Sequence, residues 1–266
     1  MNRNENLKKI VKSSYGLIAR NSNKSGCCNL TGCDCETTES DLVEKYIKLD
    51  GYLPDANLKL GCGIPTEYAN IKVGDSLLDL GSGAGNDCFV ARAIVGDKGK
   101  ITGLDFTDEM IEKAQENNLK LGYLNVKFIK GDIEQMPIAD NQYDVVISNC
   151  VLNLVPDKAK AFSEIHRVLK PGGHFCVSDI VLEGDLPREI LASAEMYASC
   201  IAGAIQKDKY IETIKNQGFK RTIIHSQIES PIPETELRKY LSDKEIKNFK
   251  KSTTGIFSIT VSGYKL

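Results

Sequence analysis

Long apolar runs are missing from this chain of 266 residues, and so is an excess of charge of either sign. No stretch approaches the roughly 20 apolar residues needed to cross a bilayer, and the opening MNRNENLKKIVKSS lacks the apolar core of a secretory signal. The 34 Lys and Arg are balanced by 36 Asp and Glu, a net charge of -2, so nothing draws the chain to nucleic acid or to an anionic membrane. Histidine is scarce: His166, His174 and His225 are the whole supply, and none stands in a motif that carries chemistry. Internal repeats and low-complexity tracts are absent as well. What remains is an ordinary globular composition with enough apolar residues for one sizeable core, expected in the cytoplasm, as a monomer.

Cysteine is the exception. There are nine, an odd number, and GCCNLTGCDC packs Cys27, Cys28, Cys33 and Cys35 into nine residues. In a reducing compartment these are expected to be free thiols, metal ligands or redox groups rather than structural disulfides. Zinc is disfavoured by the lack of C-x-x-C pairs and of any nearby histidine. A thiol store serving chemistry elsewhere in the chain is a third alternative.

From about residue 74, short apolar runs alternate with helical periodicity, the pattern of a parallel α/β sheet. LLDL, ITGLD, VKFIKGD and VVISN each run into a polar or acidic residue, which marks the carboxyl end of a strand, the edge where ligands bind. KAKAFSEIHRVLK places Ala161, Ile165, Val168 and Leu169 on one helix face, and Pro171 to Gly173 should stop that helix before a fifth strand, HFCVSDIV. LPREILASAEMYASCIAGAI reads as a helix opened by Pro187, and QKDKYIETIKNQ as another ended by Gly218. Two further strands, FKRTIIHSQI and GIFSITVSGYKL, flank one polar helix, TELRKYLSDKEIKNFKK.

LDLGSGAGND is a strand that enters a glycine-rich turn and then a helix, so Gly81, Gly83 and Gly85 let the backbone approach a ligand closely. Asp105, at the end of the next strand, is placed to accept hydrogen bonds from ribose hydroxyls. A dinucleotide fingerprint needs glycine where Asn86 stands. The spacing instead resembles motif I of the class I S-adenosylmethionine methyltransferases. GDIEQMP, YDVVISN and LKPGG resemble that superfamily's later motifs, over about residues 74 to 180.

Among the remaining cysteines, Cys88 and Cys176 lie in apolar runs and are expected to pack as small hydrophobes. Cys62 lies between two glycines, a tight loop ill suited to a core residue, while Cys150 directly follows the fourth strand. For Cys150 and Cys200, packing and function stand equally open on the residues alone. With GCG at Cys62, LDLGSGAGND, SNCVLNLVPDK at Cys150 and CIAGA at Cys200, the chain is similar to the arsenite S-adenosylmethionine methyltransferases over about residues 15 to 230.

That resemblance implies a Rossmann-like class I methyltransferase α/β sheet, mostly parallel with a C-terminal antiparallel strand. It divides the chain into an N-terminal Cys-rich segment with helices (1–72), a cofactor core (73–182) and arsenic-site helices with a C-terminal cap of helix and strand (183–266). S-adenosylmethionine is implied against Asp79, Gly81, Ser82, Gly83, Asn86, Asp105, Phe106, Met110, Asp132, Ile133 and Asn149. Trivalent arsenic, arriving as arsenite or a thiol conjugate, is implied on Cys62, Cys150 and Cys200. An N-terminal cysteine, Cys27 or Cys28, would join Cys62 in redox turnover, regenerated by a thiol reductant such as thioredoxin or glutathione. The chemistry is coherent: arsenic is soft and suits thiolates, and its lone pair carries no proton, so methyl transfer to it needs no general base. Two other readings stay open at this point, a methyltransferase of a small organic acceptor and an inactive thiol-based metalloid sensor.

Overall fold

Alternate side chains of the apolar runs pack on opposite faces of a single seven-stranded sheet. Leu78, Leu80, Val146, Phe175 and Val177 enter one core, and Leu77, Val145, Ile147 and Cys176 enter the other. Both faces are covered, which is why the runs are apolar throughout rather than alternating with polar residues. A computed structural model of the chain describes residues 3–21, 38–184, 203–230, 234–251 and 254–266. Cys27, Cys28, Cys33, Cys35, Cys200 and the helix expected from Pro187 lie outside the described residues.

The elements in chain order are α1 (Arg3–Asn21), α2 (Thr38–Ile47), a single-turn α3 (Pro65–Tyr68), β1 (Ser76–Leu80), α4 (Asn86–Val95), β2 (Lys100–Asp105), α5 (Asp108–Leu121), β3 (Val126–Lys130) and β4 (Tyr143–Asn149). They continue with α6 (Lys158–Val168), β5 (Leu169–Glu183), α7 (Lys207–Asn216), β6 (Lys220–Glu229), α8 (Glu234–Leu237), α9 (Asp243–Lys251) and β7 (Gly255–Tyr264). The strand order is β3-β2-β1-β4-β5-β7-β6. Strands β1 to β5 pair in parallel, and β7 runs antiparallel between β5 and β6. This is the class I methyltransferase sheet with its C-terminal antiparallel strand. Because the chain leaves β1 toward β2 and later returns to β4 on its other side, a crevice opens at the carboxyl ends of β1 and β4. Among the described residues no helix is long and apolar enough to cross a membrane.

Two local expectations change. Pro171 to Gly173 do not separate α6 from a later strand: β5 already begins at Leu169 and carries them within it. The cause is tertiary. The end of the chain pairs across this turn, with Gly172 N donating to Lys265 O at 2.8 Å and Lys265 N donating to Gly173 O at 2.9 Å. The C-terminal polar helix is in fact two helices, α8 and α9. Ser242 interrupts it by forming a capping box: its backbone N donates to Glu245 Oε2 at 2.8 Å, and Glu245 N faces Ser242 Oγ at 3.4 Å.

The face shared by α6, α7 and β5 is built on rings. Phe162 lies 5.6 Å from Phe175 and 5.5 Å from Tyr210, and Phe175 lies 4.7 Å from Phe219. Phe162 is fully buried at the centre of this group. Phe162→Ala is therefore expected to cost about 3–5 kcal/mol in urea unfolding, whereas Leu124→Ala, at a fully exposed position, should stay within about 0.5 kcal/mol. Equal costs would show that this ring cluster is not where the core energy resides.

Candidate functional site

The crevice holds a cavity of about 1150 Å³ including its open mouth, and the carboxyl ends of β1, β2, β3 and β4 all contribute to its wall. Asp79, Gly81, Ser82, Gly83 and Asn86 come from β1 and the turn after it, Asp105 and Phe106 from the end of β2, and Met110 from α5. Asp132 and Ile133 follow β3, and Asn149 ends β4. All eleven residues assigned to the cofactor thus border one space, although they span 71 positions of chain.

Asp105 is held rigidly. Gly83 N donates to its Oδ2 at 3.0 Å and Thr107 N to its Oδ1 at 2.9 Å, and a carboxylate has lone pairs left over for further donors such as hydroxyls. Gly81, Gly83 and Gly85 all adopt positive φ, of 69°, 52° and 98°, which lets the turn fold back to make these contacts.

Two more carboxylates are buried beside it. Asp79 accepts from Cys88 Sγ at 3.2 Å, and Asp87 accepts from Tyr46 Oη at 2.7 Å and from Asn149 Nδ2 at 3.0 Å. Among the described residues, the hydrogen bonds to Asp79, Asp87 and Asp105 come from neutral donors. Burial raises the pKa of all three, and for Asp79 the neighbouring charges of Asp87 and Asp105 raise it further. Such a wall favours a ligand that brings positive charge and hydroxyl groups. S-adenosylmethionine, with its sulfonium, α-ammonium and ribose, fits that donor set. Asn86 Oδ1, buried on the same turn without a partner among the described residues, offers a further acceptor.

The four described cysteines differ in their surroundings. Cys176 is fully buried, and burial pushes its thiol up to about 12. Cys88 is also fully buried, but its contact with Asp79 makes it a support for the cofactor turn as well as a packing residue. Cys150 borders the cavity, while Cys62 is half-buried against the cluster that contains Cys150, Leu154 and Ile180. The glycines around Cys62 are dictated by close approach: a Cβ on Gly61 would lie 2.7 Å from Asn149 Nδ2, and one on Gly63 2.5 Å from Ser178 Oγ. Asn149 Oδ1 accepts from Cys62 N at 3.0 Å and Gly63 N at 3.3 Å, so the residue that ends β4 also grips the Cys62 loop.

Cys150 has a left-handed backbone, with φ of 60°, a conformation that a non-glycine residue keeps only when its surroundings hold it. Cys150 N donates to Ser178 O at 2.7 Å and Val151 N to Asp179 Oδ1 at 3.1 Å, both on β5. Asp179 is buried, which pushes its carboxyl up to about 6 against the pull of a hydrogen bond from Tyr210 and the charge of Lys158.

The sequence motifs missed one wall. Helix α1 lies across the cavity and contributes Lys8, Val11 and Tyr15. Lys8 Nζ donates to Asp132 Oδ2 at 2.6 Å and to Glu134, Lys12 Nζ pairs with Asp108 at 3.0 Å, and Arg20 pairs with Glu109. Burial works against the Lys8 charge, but its two carboxylate partners outweigh that and raise its pKa. The signal was present as apolar Val11, Tyr15, Ile18 and Ala19 on one helical face, though nothing in it named the partner. Tyr46 of α2 was missed as well. His174 and His225 are engaged elsewhere, beside Ala69 O and Ser262 Oγ, and His166 packs edge-on to Phe219.

Comparison with known proteins adds an independent line. The methyltransferase domain family matches residues 71–218. The chain is 36% identical over 255 residues to a protein of Halobacterium salinarum named arsenite methyltransferase, covering 90% of this chain and 62% of that one. It is 33% identical over 272 residues to the human protein of the same name, covering 95% and 70%. The crystal structure of an arsenic(III) S-adenosylmethionine methyltransferase from Chlamydomonas reinhardtii superimposes with a TM-score of 0.66 at 33% identity, over 86% of this chain and 72% of that one.

The raised acids generate a signed prediction. A carboxyl whose folded pKa lies above its unfolded value contributes stability below the ordinary acid range and loses it as pH rises through the raised value. Asp79→Asn should therefore melt higher than the parent at pH 8 without cofactor, the gap closing toward pH 4. The same variant, and Asp105→Ala, should bind S-adenosylhomocysteine about 10- to 100-fold more weakly by calorimetry. Unchanged affinity in either variant would remove that carboxylate from the cofactor site.

Proposed function

Because the chain belongs to the arsenite methyltransferase family, we propose that it transfers the methyl group of S-adenosylmethionine to trivalent arsenic held by Cys62, Cys150 and Cys200. The observation that carries this reading is that Cys62, far from Cys150 in sequence, packs against the apolar cluster that contains Cys150, which borders the cavity. Ala204, four residues after Cys200, packs in that same cluster. The chain spans 62–70% of the length of these two relatives.

Arsenite, or its conjugate with a small thiol, exchanges its ligands for cysteine sulfurs, which arsenic prefers as a soft centre. With three sulfurs bound, one lone pair remains. S-adenosylmethionine supplies an electrophilic methyl group on a sulfonium that becomes neutral on losing it. The arsenic lone pair forms the new As–C bond as the C–S bond breaks and the electron pair of that bond stays on sulfur. The attacking atom has no proton to lose, so a wall without histidine is adequate. The residues here act by positioning: Asp105 orients the ribose, Asp79 and Asp87 oppose the positive charge, and the β4–β5 contacts aim Cys150. Helix α1 keeps water from the bound reactants.

Methylation leaves arsenic formally pentavalent. Two thiolates return the electron pair that restores the trivalent state and are themselves oxidised to a disulfide. We assign that role to Cys62 with Cys27 or Cys28. An external dithiol or thiol, thioredoxin or glutathione, then reduces the disulfide by exchange. The cellular outcome of this cycle is arsenic detoxification.

Purified protein incubated with arsenite, a thiol reductant and S-adenosylmethionine should yield methylated arsenic and one S-adenosylhomocysteine per methyl group transferred, with arsenic species separated by chromatography. Arsenite binding without S-adenosylhomocysteine formation would identify a sensor instead, and turnover that needs an organic acceptor would also overturn the proposal. Cys150→Ser and Cys200→Ser should each lower turnover at least about 100-fold, equivalent to about 2.7 kcal/mol of barrier, and weaken arsenite binding. Full activity in either variant would exclude that cysteine from the arsenic site.

A further inference from the structure

Tyr46 belongs to none of the cofactor motifs, yet its hydroxyl joins the cofactor cavity to the Cys62 loop. It donates to Asp87 Oδ1 at 2.7 Å, accepts from Asn149 Nδ2 at 2.9 Å, and sits 3.1 Å from Gly63 O. Asn149 Nδ2 also faces Asp87 Oδ2 at 3.0 Å and Gly63 O at 2.9 Å, while the other end of the same amide, Oδ1, accepts from Cys62 N and Gly63 N. Tyr46 is 3% exposed, and its ring is fixed by Ile64 and Val90. The hydroxyl therefore has little freedom to drift.

We propose that Tyr46, with Asp87 and Asn149, is a positioning device that couples cofactor occupancy to the placement of Cys62. Its consequence for arsenic rests on the reading of Cys62 as an arsenic ligand. The side-chain amide of Asn149 is planar and rigid, so whatever draws on its Nδ2 end redirects the Oδ1 end that holds the Cys62 loop. Asp87 is the element exposed to the ligand. A cationic group entering the cavity beside Asp87 competes with Tyr46 and Asn149 for the lone pairs of this carboxylate and so changes how strongly it holds those two donors. Tyr46 completes the link by bonding to Asp87 and Asn149 at once, so a shift of the carboxylate is passed to the amide. Linkage then requires the converse: an occupant on Cys62 alters cofactor affinity by the same factor.

The test uses the full chain. The rate of iodoacetamide alkylation at Cys62, read by mass spectrometry of its peptide, is compared with and without saturating S-adenosylhomocysteine, and arsenite affinity is measured in both states. The expected ratio in the parent protein is at least about fivefold for each, the lower end of ordinary coupling between sites. Tyr46→Phe keeps the ring and loses the hydroxyl. With S-adenosylhomocysteine added at a concentration that saturates the variant itself, it should bring both ratios below about twofold, which a merely structural tyrosine would not do. Asn149→Asp, which loses the donor and places a like charge against Asp87, should abolish the ratios too. A parent ratio near one, or a parent-like ratio in Tyr46→Phe, overturns the coupling. Cofactor-dependent alkylation in a protein that does not bind arsenite upholds the coupling and sinks the arsenic reading, so the two fail separately.

Discussion

The side chain of Asn149 stands where three requirements meet: it ends β4, it borders the cofactor cavity, and it holds the backbone of the Cys62 loop through Oδ1. Much around it follows from that placement. Gly61 must lack a side chain because Asn149 occupies the space a Cβ would need, and Gly63 must do so because Ser178 does. Cys150, next in sequence, turns sharply into a left-handed conformation and is caught by Ser178 on β5. Two cysteines separated by 88 positions are thereby brought to one apolar cluster by one strand end and its neighbour.

The cavity wall carries a second constraint, which is electrostatic. Burying Asp79, Asp87 and Asp105 together is costly, and their raised pKa values express that cost. Neutral donors hold the three groups in place without neutralising them. A ligand that brings positive charge relieves the strain the fold accepts in its absence, so the motif binds by completing an unfinished charge balance. The methyl donor carries one more positive charge than the product left after transfer.

Parts of this arrangement were legible early. Polar residues at the ends of apolar runs located the ligand edge of the sheet, and the glycine spacing together with Asn86 separated this turn from a dinucleotide fingerprint. The S-x-x-E capping box at Ser242 was equally readable, yet it was submerged in a long polar helical pattern. Pro171 to Gly173 form a turn by every local rule, and only the backbone of Lys265 draws them into β5. Helix α1 showed its apolar face without showing what it covers. Pairing of Lys8 with Asp132 and of Lys12 with Asp108 joins residues about a hundred positions apart, and no local pattern encodes such a choice.

What the amino-acid sequence by itself determined was the alternation of strands and helices from β1 to β5 and the cofactor turn, because each depends on residue type, period or short spacing. The tertiary structure alone decided which residues came together: Cys62 with the cluster that contains Cys150, Tyr46 with Asp87 and Asn149, and α1 with the cavity. The physical reason is one of range. Periodicity and turn chemistry act over a few residues, whereas the bonds that shape this site close loops of about 40 to 125 residues. Their geometry exists only once the sheet has set the strand ends side by side.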